Sequence, residues 1–241
     1  GSGGGQQQGC QAHGQLTVHL DGSLGGGVWK GAKATGEVDA VWDRQTFTAD
    51  APNGMIIQWA GASYGDTKFG GAALRYAPQG RLAERVDDGI VGRGNLQAIS
   101  IPVNGGAWTA QANLGAVGIN WRAENGFRAN FDMAPSRVDM TIEERKVPIS
   151  VGDIAGTLDL RDGWKVAGAF KDANAKADEA TVAGLHGKFN LGGKGDKLDG
   201  SLSEIAMRII DPKSEEDGRR FEELKFEGDA TLRNSVANFH G

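Results

Sequence analysis

The strongest constraint on the fold is an alternation of apolar and polar residues at every second position, which recurs through most of the chain. Residues 154–160 follow this alternation, a turn follows at Asp162 and Gly163, and residues 164–170 resume it. A period of two belongs to β-strands with one apolar and one polar face, whereas a helix repeats every 3.6 residues. This stretch is therefore predicted to be a β-hairpin with one consistent apolar face.

The same alternation occurs in many other segments, which are separated by short polar turns. It is found at residues 16–20, 34–42, 57–59, 70–76, 99–103, 108–112, 119–121, 127–131, 185–191, 198–202 and 224–232. Connections of hairpin length join successive antiparallel strands. The sequence predicts an all-β fold, an elongated and strongly curved antiparallel meander that forms an open groove, with few or no helices.

Glycine is unusually frequent and often occupies apolar-face positions of the predicted strands. It supplies 39 of the 241 residues, against a usual share of roughly 7%. Glycine inside a strand costs backbone entropy and leaves a gap on the packed face. Strong curvature, close approach of another backbone, or a channel whose contents fill the gaps would each offset that cost. The last alternative points to a ligand.

The core predicted from composition is thin. Hydrophobic residues make up 39% of the chain, and most of the six tryptophans fall on apolar faces. Tryptophans alone fit a closed sandwich or barrel core. A closed core of this length would use more Leu, Ile and Val, so an open groove is favoured.

Some segments lack the strand pattern. Residues 172–183 and 214–224 are predicted to be loops or short turns, and residues 211–220 a solvated loop. Residues 1–9 resemble an expression scar or a disordered terminus. Residues 10–241 are predicted to be a fragment of one continuous elongated β-groove domain, with a candidate sub-boundary near 143–150.

Enzymatic motifs are weak. Residues 61–65 match G-x-S-x-G around Ser63, but a nucleophile elbow needs a helix directly afterwards, and residues 66–76 alternate like a strand. The glycines of residues 192–197 lack the spacing of a phosphate loop and are better explained by a hairpin turn. We therefore predict no catalytic residue and no enzyme.

Metal, cofactor and nucleic-acid partners are not predicted. The histidines at 13, 19, 186 and 240 lack metal-ligand spacing, and Cys10 is the single cysteine. The net charge is −5 with acids and bases interspersed, so no basic stripe is available for a phosphate backbone. The sequence contains no run of 18 or more apolar residues of the kind that forms a membrane span.

Five stretches carry a family resemblance. They are IAGTLDL at 154–160, WKVAGAF at 164–170, GLHGKFNL at 184–191, RFEELKFEGDATL at 220–232 and GVWKGAKATG at 27–36. Together they resemble the bridge-type lipid-transfer proteins of the AsmA-like superfamily, most closely the YdbH family of Gram-negative bacteria. The last stretch is also similar to type II secretion protein N.

The resemblance implies a periplasmic, taco-like β structure that shields the acyl chains of phospholipid or another lipid between inner and outer membrane. It also implies an inner-membrane anchor in the parent protein, a role in outer-membrane biogenesis, and partner proteins in the periplasm or outer membrane. On this hypothesis the groove is lined by Ile154, Leu158, Leu160, Trp164, Val166, Phe170, Leu185, Phe189, Leu191, Leu224, Phe226 and Leu232.

Two other functions remain open. In the first, the domain is a structural or assembly scaffold, similar to secretion protein N, whose apolar faces pack together without lipid cargo. In the second, Ser63 is the nucleophile of a hydrolase, which the strand-like surroundings disfavour. Unpaired strand edges also predict self-association, since exposed backbone groups seek partners.

Overall fold

The computed structural model describes residues 9–20, 30–178, 180–194, 197–210, 224–233 and 236–240. At positions 20 and 198, and over most of 224–240, it describes the backbone alone. Twenty-one strands form one sheet in which all strand pairs are antiparallel. No helix is found in the described ranges, so none of their segments is a helix able to cross a membrane.

Most of the strands follow one another along the chain with only a few residues between them. They are β1 (Cys10–Leu20), β2 (Ala32–Trp42), β3 (Phe47–Asp50), β4 (Met55–Trp59), β5 (Ala62–Tyr64), β6 (Thr67–Phe69), β7 (Ala72–Pro78), β8 (Ala83–Val86), β9 (Gly89–Gln97), β10 (Ile99–Asn104), β11 (Trp108–Leu114), β12 (Val117–Ala123), β13 (Phe127–Met133), β14 (Ser136–Ile142), β15 (Arg145–Val151), β16 (Asp153–Asp159), β17 (Trp164–Ala177), β18 (Ala180–Lys194), β19 (Lys197–Ile210), β20 (Leu224–Arg233) and β21 (Val236–His240).

Eight of these strands, β9 to β16, combine in pairs into longer units, each of which crosses the sheet once; we call such a unit a rung. β9 with β10, β11 with β12, β13 with β14, and β15 with β16 each make one rung, whereas β17, β18 and β19 are full rungs by themselves. β11 pairs with β10 and β14, while β12 pairs with β9 and β13. The molecule is therefore an up-and-down meander of rungs, which confirms the predicted all-β fold.

Each rung from β9–β10 to β19 contains one extra residue near its middle. Along an undisturbed strand the apolar positions are two residues apart, but here one step per rung is three residues. The steps are Leu96 to Ile99, Leu114 to Val117, Met133 to Ser136, Val151 to Ile154, Phe170 to Ala173, Val182 to Leu185 and Leu202 to Ile205. An extra residue of this kind is a β-bulge, which bends its strand and increases the local twist.

These bulges lie next to one another across the sheet and form a line that we call the crease. Ala98, Asp172 and Glu204 adopt positive φ at three of them, a conformation that strand residues avoid unless the surroundings impose it. Gly152 donates its backbone N–H to the carbonyls of Lys171 and Asp172 in the next rung, at 3.2 Å. Because every rung bends at the same line, the sheet is divided lengthwise into two wings.

Ser136 is the buried polar residue of the crease. Its hydroxyl donates to the carbonyl of Ala134 and accepts from the backbone N–H of Gly115, both at 2.9 Å. At Gly115 a side chain would meet the carbonyl oxygens of Ala134 and Pro135, 2.6 Å from an ideal Cβ. Neighbouring bulges thus fit together through backbone contacts that leave no room for a Cβ.

The well-buried side chains of the strands lie on one face, which we call the apolar face. Its core is at the N-terminal end and consists of Val38, Ala49, Ala51, Met55, Tyr76 and Ala83, with Ile119 and Trp121 packed against it. No described large side chain is fully buried. The core is therefore thin, and most of the apolar face is only half covered.

Two sequence-based assignments were wrong. Residues 172–177 belong to β17 and residues 180–183 to β18, because small apolar residues such as Ala173, Ala175 and Val182 alternate there. Gly192 and Gly193 belong to β18 and not to a turn. The loop predicted at 211–220 and most of 214–224, like residues 1–8, lies outside the described residues. The sheet is continuous through 143–150, where a hairpin joins β14 and β15.

Candidate functional site

The first wing contains β10, β11, β14, β15 and residues 173–177 of β17. Cross-strand partners in a sheet point to the same face, and here they align apolar residues in a row. The row contains Ile101, Ala112, Val138, Ile149, Ala175, Val182 and Ile209, one from each successive rung. All of them are half-buried. An unbroken apolar row therefore runs across seven rungs at right angles to the strands.

The second wing contains β9, β12, β13, β16 and residues 164–171 of β17, and carries two comparable rows. One row contains Ile119, Phe131, Gly156, Gly168, Phe189 and Leu202. The other contains Trp121, Ala129, Leu158, Val166, Leu191 and Gly200. The two wings, one on each side of the crease, thus present apolar rows on the same face of the sheet.

The described members of the predicted lining set occupy these rows or positions beside them. Ile154 pairs with Phe170, and Leu158 pairs with Val166, which pairs with Leu191. Leu185 lies opposite Ala173 at the crease, Trp164 begins β17, and Leu160 follows β16. All of these predicted side chains are half-buried. Leu224, Phe226 and Leu232 are in β20, paired with β19, but their side chains lie outside the described part.

One contact links the outer ends of the two wings. Tyr64 ends β5, which reaches the first wing through β6 and β10, and Trp164 lies at the outer end of the second wing. The Trp164 indole N–H donates to the Tyr64 hydroxyl at 2.7 Å. Their rings meet at 66° with centroids 6.1 Å apart. If the sheet were flat, the rungs of Tyr64 and Trp164 would lie far apart. Their contact therefore shows that the sheet is folded.

Tyr64 belongs to a small aromatic group. Phe69 meets Tyr64 edge to face at a centroid distance of 6.3 Å, and Trp59 lies 6.5 Å from Phe69. Such tilted and edge-to-face pairs contribute about 0.5–1.5 kcal/mol beyond the area they bury. The outer end of the first wing is thus a preorganised aromatic surface against which Trp164 packs.

An apolar cleft of about 720 Å³ lies at the N-terminal end of the apolar face. Leu16, Val38, Phe47, Ala49 and Ile90 line it, and Arg85 also borders it. The sequence-based lining set contains none of these residues, because the small alanines and glycines of the first strands gave a weaker pattern. The alternation in β1 and β2 is the signal that could have identified them.

A larger cavity, of about 900 Å³, is lined by both polar and apolar side chains, among them Trp121 and Leu158 of the second-wing row. Arg93, Asn120, Asn130 and Thr157 line it and pair in register on the opposite face of the same strands. Because the residues alternate between faces, the polar ladder faces away from the rows that carry Trp121 and Leu158. The cavity therefore borders both the polar ladder and the second-wing row.

Several apolar-face glycines are covered by neighbouring aromatic rings. A Cβ on Gly92 would meet the ring of Trp121 at 2.5 Å, and one on Gly94 would meet Tyr76 at 2.8 Å. The indole of Trp164 covers Gly193 in the same way. Gly156 and Gly168 face each other closely through backbone atoms. Aromatic covering and backbone approach therefore explain these glycines, with no ligand needed at those points.

The charged groups form ordinary surface pairs. Asp159 accepts hydrogen bonds from the side chain and backbone of Arg161, the shortest at 2.6 Å, and these lower the pKa of Asp159 to about 2. A hydrogen bond and ion pair with Asp39 raise the pKa of His13 above 6.5. These pairs lie on exposed or partly exposed positions of the sheet, and none of them faces the apolar rows.

The sequence motif around Ser63 lies in an ordinary strand and turn. Ser63 lies inside β5, and the chain continues through a turn into β6, where a nucleophile elbow would require a helix. Among the described residues, no group of three or more His, Cys, Asp or Glu is placed to hold a metal ion. The described residues thus place apolar side chains in rows along one face of the sheet.

Comparison with known proteins gives no match: no family model, curated protein or solved structure is similar to this chain.

Proposed function

We propose that this domain binds and shields the acyl chains of lipids along its apolar face. Each methylene removed from water contributes roughly 0.8 kcal/mol. The rows consist of aliphatic and aromatic residues and glycines, with no described charged residue among them. Binding along them would be broad and not specific for a headgroup, so that a lipid could slide from rung to rung.

The observation that carries the proposal is the continuity of the apolar rows on a creased sheet. Seven successive rungs place apolar residues in register while leaving them half exposed. Soluble proteins seldom leave large contiguous apolar surfaces uncovered unless these bind something. A surface that is long, narrow and uniformly apolar fits a flexible hydrocarbon chain better than it fits a compact polar ligand.

The direct test is native mass spectrometry of the purified protein, followed by solvent extraction and lipid analysis. We expect copurified phospholipid or another acyl-chain species, and its loss from a Phe189→Asp variant, because the new carboxylate would lie within an apolar row. The matched control is Asn190→Asp, the next residue of β18 on the opposite face, which should retain lipid. A lipid-free wild-type protein from lipid-rich extracts would contradict the proposal.

A scaffold without lipid cargo is the second candidate, and one observation favours it. Trp121, Tyr76 and Trp164 cover the glycines next to them, so part of the apolar face is filled by the protein itself. In that case the wings would pack on each other or on a protein partner. The same experiment separates the two functions, since a scaffold would carry no lipid in either variant.

The cellular setting is part of the same proposal and comes from the resemblance to the AsmA-like superfamily. The parent protein would be anchored in the inner membrane, and this domain would lie in the periplasm, where it passes lipid towards the outer membrane.

Among the described strands, β1 pairs with β2 alone. Its other edge is available for self-association or for a protein partner.

A further inference from the structure

We infer that the hydrogen-bonded contact of Tyr64 with Trp164, which we call the tie, controls sideways entry of lipid into the groove. This inference rests on the proposed function, because it concerns access to the apolar face. The tie joins the outer ends of the two wings, on the side towards which the apolar rows point. At that place the groove is bridged, and on either side of it the mouth lacks this bridge.

The position of the two residues supports this role. Tyr64 precedes the β5–β6 turn and Trp164 follows the turn after β16, so each stands at the rim of its wing. The pair is separated by 100 residues in the chain, and β5 and β17 share no strand pairing. Among the described residues no backbone hydrogen bond joins β5 to β17, so the tie can open while the sheet keeps its backbone hydrogen bonds.

The chemistry of the tie suits a contact that opens and closes. It consists of one neutral hydrogen bond and one edge-to-face ring contact, between Tyr64, which is 5% exposed, and the half-buried Trp164. Each contributes about 0.5–1.5 kcal/mol net. A lipid with two acyl chains that approaches from the side would have to displace the ring of Trp164, whereas a chain already bound along the apolar rows would not. The tie thus limits the rate of entry more than the amount bound.

A second pair in the same molecule provides a matched control. The Trp121 indole N–H donates to the Tyr76 hydroxyl at 3.1 Å, so its chemistry is that of the tie. Tyr76 lies in the core, and both residues lie within the sheet on one side of the groove. Tyr64→Phe and Tyr76→Phe each remove one such hydrogen bond, but only the first weakens a contact between rims.

The experiment measures uptake of a phospholipid with a fluorescent, self-quenched acyl chain from phosphatidylcholine vesicles. We expect Tyr64→Phe to raise the initial uptake rate about two- to tenfold, the factor that corresponds to one net hydrogen bond. The amount bound at equilibrium should not change, and Tyr76→Phe should take up lipid at the wild-type rate. Equal rates in the two variants would overturn the inference.

A covalent tie gives the opposite test. In a Cys10→Ser background, Tyr64→Cys and Trp164→Cys can be joined by a short bismaleimide. We expect the joined protein to take up lipid more slowly than the unjoined one and to release preloaded lipid more slowly. Unchanged rates after joining would contradict the inferred role of the tie alone. A wild-type protein that takes up no lipid would contradict the proposed function as well.

Discussion

At the scale of single residues, Asp159 and Arg161 give a measurable electrostatic prediction. The guanidinium and backbone N–H of Arg161 lower the pKa of Asp159 to about 2, below the ordinary 3.8. The contribution to stability is therefore present above pH 4 and is lost as the pH falls towards 2. Because both side chains are exposed to water, which screens their attraction, this contribution is small.

Arg161→Gln should return the pKa of Asp159 towards 3.8, since the largest cause of the shift is the hydrogen bond from the Arg161 side chain. The measurement is a carbon-detected NMR titration of the side-chain carboxylate in the wild type and the variant. A carboxylate that titrates at the same low pH in both would show that the pair does not form in solution.

At the scale of elements, the crease predicts which strand glycines are essential. Gly115→Ala should reduce the free energy of unfolding by about 1–3 kcal/mol, because the added Cβ overpacks against two backbone carbonyls that cannot move aside. Gly14, in the middle of β1, has no atom within 4 Å of an ideal Cβ. Gly14→Ala should therefore leave stability unchanged, or raise it slightly.

Urea unfolding followed by circular dichroism distinguishes these outcomes. A loss of stability confined to Gly115→Ala would support a crease built from close backbone contacts. Equal effects of the two substitutions would mean that the bulges at Gly115 and Pro135 are not packed as described.

The hairpins were predictable from sequence because alternation is local. The pair at residues 154–170 shows its apolar face without any knowledge of its neighbours. Residues 172–183 were misassigned because their apolar positions are mostly alanines, which give a weak pattern. The bulges were visible as three-residue steps, such as Val151 to Ile154, but their alignment into a crease depends on the register of seven rungs.

At the scale of the whole molecule, the groove arises from many small bends added together. No single bulge folds the sheet, but one in each rung at the same line brings Tyr64 to Trp164 across 100 residues of chain. Such a contact depends on accumulated bend and twist, which local sequence patterns do not encode. For this reason the sequence analysis named lining residues that lie close together in the second wing, but it did not predict the tie or the N-terminal apolar cleft.

The measurement that tests the central claim most directly is site-specific photo-crosslinking in living cells. Benzoylphenylalanine placed at Phe189 or Val138 would lie in the apolar rows, whereas at the adjacent Asn190 or Asp139 it would lie on the opposite face. If the apolar face holds acyl chains, mass spectrometry will find lipid adducts at the first pair of positions and none at the second. Adducts at neither pair, or equally at both, would contradict a lipid-binding groove.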